Sequence, residues 1–390
     1  MSPTRIVISN DGLGPNKGDQ AILAAMLDSL PKAIPSSRLE VFPHSGMRRP
    51  GHYLAFCRAL RGADVFLLGG GQSLQDEASV AFLLSGLLKI VLARLLSPKV
   101  CCYAQGVGPL HTRLGRALSR AVLSRVDLIT VRDADSRAAL DELGVDRPRC
   151  HVTADPSVLL EPATELRARE ILAREAIPEA GGPRVAVAPR RWFHYGHYFL
   201  PMSFRARFRP VGGRENHTRL VQAIAQVADD LVADHGAQVI LVPMRRARWP
   251  VDPGQDDDQV AAEIIAGMRN KGNAHLIRGD YTPAELKALL GQMDLAVGMR
   301  LHSLILASMI GTPVVGLELM PKFRPFFRSL GQESCLLSTQ ELSREALRDV
   351  VEDVLSRRAG IRRELLARAP ALRALASANH EHLRALLSGS

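Results

Sequence analysis

Several things are scarce in this 390-residue chain, and each scarcity closes off a class of function. Aromatic residues are 5% of the total. There is no RNP-like aromatic signature, zinc-ligand spacing or long Lys/Arg run, so the net charge of +10 does not read as a nucleic-acid signature. It points instead to an anionic substrate or an anionic membrane surface. The five cysteines form no paired framework, and Cys101 and Cys102 sit side by side in a strand-like run without metal-ligand spacing. Reduced, buried thiols in a cytoplasmic protein are expected. No secretory leader pattern is visible, because Arg5 runs directly into the strand-like "IVIS". Nor is there a long uncharged apolar run. "VAFLLSGLLKIVLARLL" (80–96) comes nearest, but Lys89 and Arg94 interrupt it and it is short of the roughly 20 residues that cross a bilayer. It reads either as a buried helix of an α/β domain or as a helix touching the membrane interface with those two cations at the headgroups. Dinucleotide and P-loop fingerprints are missing too. Gly12, Gly14 and Gly18 have the wrong spacing, and Lys17 precedes Gly18 with no Ser or Thr behind it.

What remains is an ordinary globular composition, 46% hydrophobic, long enough for two domains of about 150–200 residues each. Short apolar runs alternate with helical patterns. Strands are expected at 5–9, 64–69, 99–105 and 127–132, with helices such as 19–30 and 134–144 between them. A charged, alanine-rich and then Gly/Pro-rich stretch follows, and a second series begins: 184–189, 237–243, 274–278, 294–298 and 313–318. That order predicts an α/β protein of two Rossmann-like domains facing a cleft. The expected division is 1–165 and 184–337, a linker at 166–183, and a helical tail at 338–390. Two stretches break the alternation, the aromatic and basic 190–216 and the loop 245–259, and such insertions often face a substrate.

Ligands of parallel α/β sheets collect at the carboxyl ends of strands, so the residues leaving each strand are the candidates. The first exit, "NDGLGPNKGDQAIL", offers Gly18 at a helix N-terminus and Asp19, which reads as a cap or a ligand. The second, "GGGQSLQDE", brings Gly70, Gly71, Gln72 and Ser73, and the third, "AQGVGPL", brings Gln105. In "VRDADS", Arg132 is an anion-binding candidate, while Asp133 and Ser136 read as helix caps. Arg190 and Arg191 leave the first strand of the second series, and one of the pair is expected to bind a carboxylate or phosphate. "GMRLHSLILASMIGTP" delivers Arg300, Leu301 and His302 from a strand into a helix N-terminus, an anion site with a proton donor or acceptor beside it. The acidic run 256–258 reads as an exposed helix start rather than a Mg²⁺ site, and no metal site is evident.

The ordered set "GDQAIL", "GGGQSL", "AQGVGPL", "TVRDADS", "ADPSVLL", "VAVAPRRW", "GMRLHSLILASMIGTPVVGLE" and Lys322 resembles the polysaccharide pyruvyl transferase family over roughly residues 5–330. The resemblance implies a GT-B-like architecture. It also implies transfer of the enolpyruvyl group of phosphoenolpyruvate onto two hydroxyls of a sugar, giving a pyruvate ketal and phosphate. Arg300 and His302, with Arg190 or Arg191, would form the donor site, Asp19 and the first domain's glycine turns would face the acceptor, and no cofactor beyond the donor is implied. His302 would be the general acid. Asp19, or an acid in 256–258, would take the hydroxyl proton. The basic charge and the 80–96 helix fit a lipid-linked acceptor met at the inner membrane face. Two other readings stay open: a GT-B glycosyltransferase using a nucleotide sugar, and a non-catalytic sugar- or lipid-binding module.

Overall fold

A computed structural model describes residues 3–44, 50–77, 79–146, 149–179, 181–192, 213–246 and 256–389. Most of the two expected substrate-facing loops, at 193–212 and 247–255, lies outside the described residues.

Two six-stranded sheets, both parallel throughout, carry the chain. The first contains β1 (Arg5–Ser9), β2 (Arg38–Phe42), β3 (Val65–Leu74), β4 (Val100–Val107), β5 (Leu128–Val131) and β6 (Arg149–Val152), in the spatial order β2-β1-β3-β4-β5-β6. The second contains β7 (Arg184–Ala188), β8 (Gln238–Leu241), β9 (Ala274–Leu276), β10 (Leu295–Gly298), β11 (Val314–Glu318) and β12 (Leu336–Ser338), in the order β12-β11-β10-β7-β8-β9. The central strands are apolar runs because both faces are covered: β4 and β5 are buried at every position.

The covering helices are α1 (Lys17–Ala33), α2 (Pro50–Arg61), α3 (Val80–Leu96), α4 (Arg113–Leu123), α5 (Ala134–Leu143), α6 (Glu165–Arg174), α7 (Arg214–His235), α8 (Asp257–Gly267), α9 (Pro283–Leu290), α10 (Leu301–Ser308), α11 (Phe323–Leu330), α12 (Arg344–Ser356) and α13 (Arg358–Ser388). Residues of α2 to α5 cover one face of the first sheet. The other face is covered by α1 and by the end of α13, whose Leu383 is wholly buried against Ile6, Ile8, Met26 and Tyr103. The chain's last helix therefore begins beside α12 and ends in the first domain's core. Asn379 fixes it there: its amide donates to the Ala154 carbonyl at 3.1 Å, and its carbonyl accepts from the Thr153 hydroxyl at 2.9 Å.

In each sheet the strand order reverses once, between β1 and β3 and between β7 and β10. Such reversals open crevices at the carboxyl ends of strands, where α/β proteins bind ligands. Loops leaving β1, β8 and β9 meet across the domain boundary. Lys17 N donates to Met244 O at 2.8 Å, and the Lys17 ammonium pairs with Asp280 at 2.6 Å.

Candidate active site

Strand β10 ends at Gly298, and Arg300 is the residue before α10. All eight residues of α10 are buried, so the element is packed on every side. His302 sits in its first turn, pointing away from its own domain. Across the cleft α1 starts at Lys17, with Asn16 as its cap: the Asn16 side chain accepts from Gly18 N at 3.1 Å. The two helix starts touch. A side chain on Gly18 would put its Cβ 2.6 Å from Cγ of His302, so only glycine lets α1 approach this closely. Asp19 is thus the third residue of α1 rather than its cap, and it accepts from the Asn16 amide at 2.7 Å.

On its other side His302 faces a residue outside the expected set, at ion-pair distance and without a closed hydrogen bond. Nε2 of His302 is buried and lies 3.5 Å from Oδ2 of Asp155, just past β6. The same carboxylate takes Arg132 Nη1 at 3.4 Å on Oδ2, and on Oδ1 it accepts from the Ser157 hydroxyl and amide at 2.6 and 3.0 Å. Burial pushes the Asp155 carboxyl up, but His302, Arg132 and the Ser157 hydroxyl outweigh it and hold the group well below the ordinary carboxylate range. Asp155 is therefore a fixed anion behind the imidazole. With Nε2 turned toward it, Nδ1 is the nitrogen beside Gly18.

Cations surround this pair. Arg132 is buried at the end of β5, where Nη2 donates to Gln72 Oε1 at 3.4 Å. Gln72 in turn donates to Gly108 O at 2.6 Å. Arg190 is buried beyond β7, with Nη1 3.6 Å from the Met320 sulfur. Lys322 lies among them with no ion-pair partner among the described residues. Its ammonium is pushed down to about 7, first by burial and then by Arg132, Arg190 and Arg300, against the pull of Asp19. The Asp19 carboxyl is pushed up, first by burial and then by Asp11, against His302, Asn16 and Lys322.

Arg300 reaches the cleft already paired. Its Nε and Nη2 donate to the two oxygens of Asp257 at 3.0 and 2.6 Å. Asp257 is fully buried and also accepts from the Met244 and Arg245 amides at 3.1 and 2.8 Å. The acidic run 256–258 is therefore not an exposed helix start: its central member anchors Arg300, and Asp256 caps α8. Among the described residues no group of three or more His, Cys, Asp and Glu is arranged to hold a metal ion.

The other expected residues divide by position. Gly70 and Gly71 adopt left-handed conformations, φ +60° and +91°, that turn β3 at the crevice. The Gln105 amide is committed to main-chain carbonyls, at 2.9 Å to Leu68 and 3.3 Å to Gly70, so it braces that turn. Asp133 caps α5 through Ser136 N at 2.7 Å. Leu301 is buried beside His302 and, with Val158, Phe326 and Leu372, forms the apolar part of a pocket whose polar lining includes Arg132, Asp155 and Lys322. Arg191 is half-buried beside Trp192. Beyond Met320 a cleft of about 750 Å³ opens between the domains, lined by Trp192, Asn216, Glu318, Arg324 and, from the first domain, Glu77.

Taken whole, the fold is that of the GT-B glycosyltransferases and nucleotide-sugar epimerases. Sucrose-phosphate synthase from Thermosynechococcus elongatus superposes with a TM-score of 0.60 at 13% identity, covering 99% of this chain and all of that one. UDP-GlcNAc 2-epimerase from Neisseria meningitidis gives 0.59 at 12% identity, with coverage of 99% and 100%. Within that fold, residues 16–319 match the polysaccharide pyruvyl transferase family, and the chain belongs to it. The amylovoran biosynthesis protein AmsJ of Erwinia amylovora is 22% identical over 253 residues, 64% of this chain and 57% of that protein.

Proposed function

We propose that the protein moves the enolpyruvyl group of phosphoenolpyruvate onto two hydroxyls of a saccharide, forming a pyruvate ketal and releasing phosphate. One observation carries this reading: Arg132, Arg190 and Arg300 are gathered near enough to Lys322 to act on its ammonium, which burial first and then these guanidinium groups hold down to about 7. Cations packed this way are relieved by a ligand with more than one negative charge, and phosphoenolpyruvate brings a carboxylate and a phosphate.

In the reaction, Nδ1 of His302 gives a proton to the methylene carbon, which becomes the methyl group. The adjacent carbon becomes electron-poor and a first sugar hydroxyl adds to it. The bond to the phosphate oxygen breaks with its electron pair, and a second hydroxyl closes the ring. Of the two hydroxyl protons, one leaves with phosphate and one passes to a base. Asp19 suits the base role, since its raised carboxyl lies nearer neutrality than an exposed one. Asp155 orients His302 and keeps a negative charge beside the ring throughout.

The acceptor saccharide would occupy the 750 Å³ cleft, which has an indole for a sugar face and carboxylates for hydroxyls. The test is phosphate release from phosphoenolpyruvate with a panel of hexose acceptors. Acceptor-dependent release that falls at least 10³-fold in His302→Ala supports the reading. Turnover of a nucleotide sugar with none of phosphoenolpyruvate overturns it.

A further inference from the structure

The outer layer of the first domain has an unusual makeup. Helices α2, α3 and α4 lie side by side over one face of the sheet and contain no Asp or Glu, in a chain where about one residue in ten is acidic. The layer is also rich in exposed apolar side chains. Leu54 is 60% exposed, Leu88 46%, Val91 39%, Leu95 74% and Leu114 52%, close to half of the large exposed hydrophobics among the described residues. Leu88, Val91 and Leu95 fall at helical spacing, one stripe along α3.

Lys89, which only the interfacial reading of that helix put at the headgroups, is not at its surface. It is wholly buried and donates to the His44 carbonyl. The cations of the face come from the neighbouring helices: Arg58 and Arg61 of α2 and Arg113, Arg116 and Arg120 of α4 are exposed. None of these five makes an ion pair among the described residues, and Arg94 alone on this layer meets a carboxylate, Asp127 at 3.4 Å. Arginines elsewhere behave differently. Arg344 and Arg348 of α12 pair with Asp230 and Asp234 at 2.7 and 2.8 Å, and Arg328 pairs with Asp135 at 3.0 Å.

We infer that the α2–α3–α4 face docks on a bilayer containing anionic lipids. An apolar stripe flanked by unpaired arginines, on helices that carry no acidic residue of their own, matches hydrocarbon below and phosphate headgroups beside it. A nucleic acid would use the arginines but gain nothing from five aliphatic side chains. The contact is peripheral, because no helix among the described residues is long and apolar enough to cross a membrane. Each helix of this layer starts where a strand has ended, so the N-terminal ends of α2, α3 and α4 lie on the same side of the sheet as the cleft. A docked face holds the site close to the lipid surface. The inference stands apart from pyruvyl transfer.

Flotation of the full chain with vesicles tests it, one set of pure phosphatidylcholine and one with 30% phosphatidylglycerol added as a probe. The expected result is at least a tenfold preference for the anionic vesicles, abolished by high salt. Arg113→Glu with Arg116→Glu should lower binding about 25-fold or more, at roughly fivefold or more per arginine. Leu88→Glu with Leu95→Glu should lose binding at any salt, while Arg362→Glu with Arg363→Glu on α13 should bind like wild type. Thermal melting checks that each variant folds. Wild-type protein that does not float overturns the inference, as do outer-layer variants that float normally. A dimer that Leu88→Glu with Leu95→Glu dissociates, with no vesicle binding in the wild type, would assign the face to a second copy instead. No phosphoenolpyruvate or saccharide is present, so this experiment and the phosphate-release assay fail independently.

Discussion

The Cα of Gly18 lies against the imidazole of His302, and the two residues belong to different domains. Gly18 opens the first helix of one, and His302 opens a buried helix of the other. Gly18→Ala puts a methyl where the ring stands. A helix otherwise prefers alanine by about 1 kcal/mol, so any loss must come from the contact. We expect kcat to fall at least 100-fold with a melting temperature within a few degrees of wild type. Unchanged kcat would mean that the approach of the two helices does not matter to chemistry.

Asp155→Asn removes the charge behind His302 and beside Arg132. The expected cost is about 10²–10⁴ in kcat, as for loss of a group that orients an acid–base residue. The substitution also has a pH signature. The folded-state carboxyl is held below its unfolded value of 3.8, so its contribution to stability is full above that value and is lost as pH falls further. The stability gap between wild type and variant should therefore be constant near neutrality and shrink below about pH 4, which urea titrations across that range would show.

Lys322 gives a proton-uptake prediction. With its ammonium held down to about 7, the amine is mostly neutral at pH 8. A bound multivalent anion favours the charged form, so binding phosphoenolpyruvate at pH 8 should draw close to one proton from solution. Calorimetry in two buffers of different ionisation heat measures this directly, and Lys322→Met should remove the uptake.

The Arg300–Asp257 pair is buried and bidentate. Asp257→Ala strands a guanidinium inside the protein and should cost about 3–5 kcal/mol in urea unfolding. Arg300→Met with Asp257→Leu should recover most of that loss. Equal destabilisation in single and double variants would show that the Asp257 bonds to the Met244 and Arg245 amides matter more than the ion pair.

If the Trp192 cleft receives the saccharide, Trp192→Ala should raise the acceptor KM roughly tenfold or more and leave the phosphoenolpyruvate KM within twofold. A rise in both would place the indole at the donor instead.

How much of this was legible in the sequence depended on burial. Central strands such as β1 and β10 are continuous apolar runs and stand out at nearly their true bounds. Three strands escaped: β2, β6 and β12. All are sheet edges, partly exposed, and "RLEVF", "RCHV" and "LLS" need no apolar run. Missing β6 hid Asp155, since "ADPS" could not be seen as a strand exit. Asp257 was hidden differently. Three adjacent acids at a helix start look like solvated charge, and only the fold brings Arg300 alongside the middle one. Arg300, His302 and Gly18 were legible because each follows a strand that sequence alone could find, whereas Lys322 came only with the family resemblance.

The last helix has a consequence for how the chain is made. Leu383 completes the core that Ile6, Ile8, Tyr103 and the α1 residues Ile22 and Met26 begin, so the part of that sheet face beyond α1 stays uncovered until residues some 370 positions later have left the ribosome. At about 5–20 residues per second, that is a wait of roughly 20–75 seconds. During that time the face of β4 and β5 destined for α13 lies open to chaperones, and the first domain can be completed only after the second has been synthesised.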